Sequence, residues 1–363
     1  MNLSQTLSYP KWVVFQLIEN CNLRCKMCYE WGEQGSYHDK PELSSLDYSV
    51  VQRVIKDCLP GQPYFEFFGG EPLLYPRIWD PIKLIKEGGC EVGIPTNGTL
   101  IEMHAEKLVE TQPTRLWISV DGPEHINDRQ RGKGVFQKVI RGIGKLYELR
   151  EARNLNYPKI GITYVVTPLN YSDIEEFFLR SIDISKLDHL TIAFQNYTTQ
   201  EQYQQYADIL SKEFGIFSAS CAKGYVQDPA QFAQIDFQII ADQMTKVKRI
   251  CQKKGIRFFA HPQTLELDNI RNYFTAHWEN MSDRRSCCAF PWTYAEISAQ
   301  GEVTVCHTFY DLPLGNVYQE SILDIWKGEK LKKVREHLRK NLYPICTACC
   351  RYYNNKNDTK SQF

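Results

Sequence analysis

The chain has 363 residues, 43% hydrophobic and 24% charged, with 43 basic residues against 43 acidic ones. A charge balance of this kind provides no positive field for a phosphate backbone or an anionic bilayer, so nucleic acid is not an expected partner. No apolar run approaches the roughly 18 residues that cross a membrane, and Met1 to Pro10 lacks the basic start and apolar core of a secretory signal, so a cytoplasmic protein is expected.

In chain order, six strands are predicted at Trp12 to Ile18, Tyr64 to Phe68, Glu91 to Ile94, Arg115 to Val120, Lys159 to Val166 and His189 to Phe194. Between them, helical stretches run from Leu46 to Leu59 behind Ser44 and Ser45 as caps, Trp79 to Glu87, Met103 to Glu110, Val135 to Leu149 and Ser172 to Arg180. Strand and helix alternating in this way predict a parallel sheet with crossover helices. From Thr198 to Asp283 polar helices take over, with Phe232, Ile235, Ile239, Ile240, Met244, Val247 and Cys251 on one face, and Ile256 to Ala260 is a further candidate strand. Tyr294 to Ile297 and Val303 to Val305 flank the turn Ala299-Gln300-Gly301-Glu302, which predicts a hairpin.

The chemistry sits between these elements. Cys21, Cys25 and Cys28 follow the first strand at a CxxxCxxC spacing. Three such thiolates can hold an iron-sulfur cluster with one iron left open, or zinc with a histidine such as His38, or they are simply packed thiols. Gly69, Gly70 and Glu71 follow the second strand, Thr96, Asn97 and Gly98 the third, and Ser119 to Pro123 the fourth. All four signals fall at the carboxyl ends of predicted strands, where α/β barrels collect their chemistry.

Together, in this order, these motifs resemble the radical S-adenosylmethionine (SAM) superfamily. The resemblance implies a partial (β/α)6 TIM-like barrel over residues 10–200, a [4Fe-4S] cluster on Cys21, Cys25 and Cys28, and SAM chelated at the open iron. It further implies that Gly69, Gly70 and Glu71 meet the SAM ammonium, and that Ser119 and Arg131 meet its ribose or carboxylate. Tyr29 and Val166 are expected beside adenine, and Asn97 and Asp121 complete the set, Asn97 more by fixing its loop.

A second cysteine set comprises Cys288, Cys306 and the CxxC pair Cys346 and Cys349, with Cys287 and Cys350 as alternative donors. Four cysteines in two pairs also make a zinc ribbon. This region is similar to the SPASM/twitch extension of radical SAM enzymes, which implies a small C-terminal α+β domain over 286–363 with one auxiliary [4Fe-4S] cluster, joined through a helical segment at 201–285. His307 stands where peptide-modifying members often carry an aspartate and is a candidate base; Cys221 is a candidate hydrogen donor. The expected reaction is reductive cleavage of SAM to a 5'-deoxyadenosyl radical that abstracts hydrogen from a peptide or small natural product. Four auxiliary thiolates leave no open iron, which favours net oxidation, with redox-neutral epimerisation as the runner-up and a non-catalytic iron-sulfur carrier or zinc scaffold as the outside alternative. A flavodoxin- or ferredoxin-type protein is the expected electron donor. Lack of a domain before residue 10 tips the expected substrate towards a small molecule.

Overall fold

The structure is a computed structural model that describes residues 7–283, 288–306 and 310–349. Ten strands form one sheet: β1 (Trp12–Gln16), β2 (Tyr64–Phe68), β3 (Glu91–Thr96), β4 (Arg115–Ser119), β5 (Lys159–Val166), β6 (His189–Phe194), β7 (Arg257–His261), β8 (Tyr294–Ile297), β9 (Glu302–Thr304) and β10 (Gly315–Asn316). Their order is β10-β9-β8-β1-β2-β3-β4-β5-β6-β7. From β8 through β7 every pairing is parallel, and β8, β9 and β10 meander antiparallel. The sheet is a parallel α/β partial barrel, as the sequence predicts.

The helices of the barrel are α1 (Tyr48–Cys58), α2 (Trp79–Glu87), α3 (Ile101–Thr111), α4 (Glu124–Arg131), α5 (Val135–Ala152) and the single turn α6 (Ile174–Glu176). In α1 the apolar stripe is Val50, Val51, Val54, Ile55 and Cys58, all buried at helical spacing, whereas α4 buries Asn127, Gln130 and Arg131. The N-cap of α1 is Asp47 rather than Ser44 or Ser45. Ser45 instead bridges Ile18, its hydroxyl donating to the Leu17 carbonyl at 3.3 Å, so the residues before α1 lie alongside the end of β1.

The segment from 201 to 285 adds to the barrel. Helices α7 (Gln200–Ile209), α8 (Ser220–Lys223), α9 (Phe237–Lys254) and α10 (Leu267–Phe274) accompany β7, which pairs with β6 as a seventh parallel strand in series. The face of α9 that packs inward is Ile240, Ala241, Met244, Val247 and Cys251. Helices α11 (Phe290–Thr293), α12 (Ile322–Lys327) and α13 (Glu329–Lys340) belong to the last segment.

The predicted hairpin forms, and its first strand docks along the free edge of β1. An unpaired strand edge invites association with other chains, and β8 closes it. Trp12 packs edge-on against Tyr294 and Phe290, with ring centroids 5.2 and 5.9 Å away, so the joint is apolar as well as hydrogen-bonded.

Candidate functional site

A cavity of about 270 Å³ lies at the carboxyl ends of the barrel strands. Cys21, Cys25, Cys28 and Tyr29 line it from the loop after β1, Gly69 and Gly70 from the loop after β2, Asn97 after β3, Ser119 from β4, and Arg131 from α4. Cys21 and Arg131, far apart in sequence, line one cavity because the segments that carry them follow strands of the same sheet.

The loop after β2 is sewn to the cysteine loop by backbone. Gly70 N–H donates to Ile18 O at 2.8 Å and Glu71 N–H to Asn20 O at 2.9 Å. A Cβ on Gly69 would stand 2.4 Å from Ile18 O, and one on Gly70 would stand 2.3 Å from Asn20 O. Gly69 also sits at φ 144°, which favours glycine. The pair therefore serves the chain's own backbone first, and the cavity through it.

Glu71 departs from its expected role. It is fully buried, and accepts from Thr96 Oγ1 at 2.7 Å, Asn97 N–H at 2.8 Å and Leu73 N–H at 3.1 Å. Burial pushes its carboxyl up to about 7, while these three donors pull it back. With its oxygens spent on the protein, Glu71 ties β2 to β3 and does not line the cavity. Asn97 does both: its amide donates to Asn22 Oδ1 at 2.8 Å and to Cys21 Sγ at 3.8 Å, while Oδ1 accepts from Thr99.

Asp121 is likewise withdrawn. Fully buried, it accepts Arg131 Nε at 2.6 Å on one oxygen and Val165 N–H at 2.8 Å on the other. Arg131 then reaches towards Cys25 Sγ, with Nη1 at 3.8 Å. Burial opposes the guanidinium charge, but Asp121 and the thiols of Cys25 and Cys28 keep it above the usual arginine range. Asp121 is thus a positioning residue, and Arg131 brings an arginine charge to the cavity wall.

The structure places Val166 off the cavity. Strand alternation turns it outward into the core under the helices, fully buried, and places Val165 on the cavity. Gly161 and Thr163, at the parity of Val165, were the readable signal, since small and polar residues face a barrel interior with a site. Tyr29 does line the cavity, its ring stacked on Tyr225 with centroids 4.2 Å apart. Phe68, Pro95, Ala193, Gln195 and Asn196 were missed. Gln195 and Asn196 directly follow β6, the position that marked the other motifs.

Three cysteines on one cavity wall fit an iron-sulfur cluster. Among the described residues no three Cys, His, Asp or Glu groups converge as one metal ion requires, and His38 lies outside the cavity beside Asp39, 3.9 Å away. Three thiols that share a cavity suit three corners of a cubane. Burial raises all three, Cys21 to about 11 and Cys28 to about 12.

Part of the second cysteine set is drawn together. Cys306 follows β9; Cys346 lies in the turn Pro344–Ala348 and Cys349 ends it, closed by Cys349 N–H to Cys346 O at 3.2 Å. Burial first, then Cys288 and Cys306, push the Cys346 thiol well above its ordinary range, so these side chains are close enough to feel one another. Cys287, Cys350 and His307 lie outside the described residues. Cys221, in the first turn of α8, is buried on a different cavity of about 510 Å³ that Tyr37, Tyr310 and Asp311 share. Its N–H donates to Asp311 Oδ1 at 2.8 Å.

Two family profiles match the chain: the radical SAM superfamily over residues 15–180 and an iron-sulfur cluster-binding domain, SPASM, over 287–350. A tungsten-containing aldehyde ferredoxin oxidoreductase cofactor-modifying protein of Pyrococcus furiosus is 26% identical over 345 residues, covering 93% of this chain and 87% of the relative. Fe-coproporphyrin III synthase of Methanosarcina barkeri is 31% identical over 169 residues, 46% of this chain and 39% of that one. Among solved structures, Streptococcus suis SuiB bound to S-adenosylmethionine aligns with a TM-score of 0.65 at 17% identity, over 97% of this chain and 77% of SuiB. Native anSMEcpe with bound AdoMet gives 0.60 at 19% identity, over 91% of this chain and 83% of that one.

Proposed function

Since this chain belongs to the radical SAM superfamily and carries a SPASM-type iron-sulfur domain, we propose that it cleaves SAM reductively and uses the 5'-deoxyadenosyl radical to oxidise a peptide or a small natural product. The observation that carries this reading is the convergence of Cys21, Cys25, Cys28, Gly69, Gly70, Ser119 and Arg131 on one cavity. No helix among the described residues is long and apolar enough to cross a membrane.

Cys21, Cys25 and Cys28 would hold a [4Fe-4S] cluster, which would supply the electron and the open iron that SAM cleavage requires. The chain's own residues do the rest. Arg131, anchored through Nε by Asp121, offers its Nη groups to the SAM carboxylate. Ser119 presents a hydroxyl for the ribose, Tyr29 and Val165 wall the adenine side, and the Gly69–Gly70 backbone leaves room for the ammonium. Phe68, Pro95 and Phe194 keep water from the reacting atoms.

Cys288, Cys306, Cys346 and Cys349 are proposed to hold the auxiliary [4Fe-4S] cluster. Four thiolates would leave it no iron for substrate, so the chemistry it would supply is one-electron transfer, which favours a net oxidation. Cys221 opens on another cavity than the three N-terminal cysteines, which weighs against thiol-based epimerisation. The electron source is proposed to be a small flavodoxin- or ferredoxin-type carrier.

Reconstitution without oxygen, followed by iron and sulfide analysis, tests the cofactor content: about eight irons per chain are expected and about four would leave room for one cluster only. Incubating that protein with SAM and a reductant should release 5'-deoxyadenosine. Untouched release after Cys25→Ala would end the reading.

A further inference from the structure

The opposite end of the barrel carries a further cavity, of about 620 Å³, with no cysteine in its lining among the described residues. Its wall is built from the first residues of the strands, among them Glu91, Arg115, Lys159, His189 and Arg257. In α/β barrels residues at the amino ends of strands serve stability rather than catalysis. Arg115 does the reverse. Only 9% exposed, its guanidinium makes no hydrogen bond or ion pair with any described residue. A guanidinium so placed is left to the water of the cavity and suits an anionic ligand.

The other charges here do not pair with it. Asp188 is engaged by Arg150 at 2.5 Å, by Lys159 at 3.2 Å and by the Ile160 N–H at 2.8 Å. Arg257 and Lys254 stand at the rim with exposed Glu91 as the remaining carboxylate of the wall. His189, pushed down to about 3 by burial and by Arg115, is uncharged at neutral pH and adds no counter-ion. The cavity is therefore net positive around a guanidinium that water reaches only through the opening.

Aromatic rings share the rest of the wall with Leu187 and Ile256. Trp117 and Phe259 stand edge to face, centroids 5.9 Å apart, with Tyr157 nearby. The volume lies within the range of small-molecule sites, about 300 to 1,000 Å³. We propose that this cavity binds a phosphate-bearing small molecule with a planar ring, the phosphate on Arg115 and Arg257 and the ring against Trp117 and Phe259. A forked guanidinium suits phosphate oxygens, and aromatic edges suit a flat ring. The site does not depend on the chemistry proposed at the carboxyl ends.

The test is calorimetric titration of the reconstituted protein, under exclusion of oxygen, with guanosine monophosphate as probe and inorganic phosphate beside it. One nucleotide per chain is expected, at least about tenfold tighter than phosphate and undisturbed by saturating SAM. Arg115→Gln should weaken it by at least about tenfold while iron content and 5'-deoxyadenosine release stay unchanged; Arg257→Gln, at the exposed rim, should weaken it about threefold even if the first variant fails to fold. Lack of nucleotide binding, displacement by SAM, phosphate binding as tight as the nucleotide, or wild-type affinity in the Arg257 variant would each overturn the proposal.

Discussion

At the scale of single residues, the cavity depends on side chains that never touch it. Asp121 is the sharpest instance: its carboxylate fixes Arg131 Nε at 2.6 Å and the Val165 N–H at 2.8 Å, so one group sets both a charge and a strand on the cavity wall. Asp121→Asn should raise the SAM concentration needed for half-maximal 5'-deoxyadenosine release by at least about tenfold, with iron content retained, because a buried guanidinium that loses its partner is left misdirected. Arg131→Lys should also raise it, since an ammonium cannot bond Asp121 and a carboxylate in the same fork. Gly70 acts through backbone. An alanine there would place its Cβ 2.3 Å from Asn20 O, against the loop that delivers Cys21. Gly70→Ala is expected to lower reconstituted iron from about eight to about four per chain, measured by iron analysis.

At the scale of elements, what the sequence shows depends on whether the signal is local. Strands β2, β5 and β6 run as predicted because alternation and flanking turns are contained within them. The side of β5 that faces the cavity was legible too, in Gly161 and Thr163, yet Val166 hides it because both of the last two residues are valines. Glu71 was illegible in another way: a carboxylate beside two glycines reads as a ligand partner, and only folding reveals that Thr96, Asn97 and Leu73 claim its oxygens. The start of β6 carries a pH dependence. His189 has a folded value of about 3 against an ordinary 6.5, set by burial and then by Arg115. A proton therefore binds the unfolded chain more readily, and stability is lost as pH falls below 6.5 towards the folded value. Lowering pH from 6.5 to about 5.5 should cost about 1 kcal/mol through this group alone. His189→Gln should flatten that part of the denaturant midpoint against pH, and a slope equal to wild type would show that other groups set it.

At the scale of the molecule, the two cysteine sets are joined by one continuous sheet. Sequence alone predicts the hairpin of β8 and β9 but cannot say which edge receives it, because a strand buried along its whole length fits many partners. The structure gives that edge to β1, whose loop carries Cys21, Cys25 and Cys28. Further ties cross the same boundary: Trp326 Nε1 donates to Leu7 O at 2.8 Å, the Asp47 N–H to Tyr318 OH at 3.0 Å, Arg53 to the Val317 carbonyl, and Gln16 Oε1 accepts the Ala299 N–H at 3.1 Å. Such a joint couples the two ends of the chain in folding, since opening β8 uncovers the edge of β1 and the Trp12 side chain together. Native-state hydrogen exchange should then find the amides of β8 protected to the same free energy as those of β1 and β2. Trp12→Ala should lower all three alike, by about 3 kcal/mol or more for a large buried side chain. Exchange of β8 through a separate, lower-energy opening, with β1 unaffected, would mean that the C-terminal segment folds on the barrel as an independent unit.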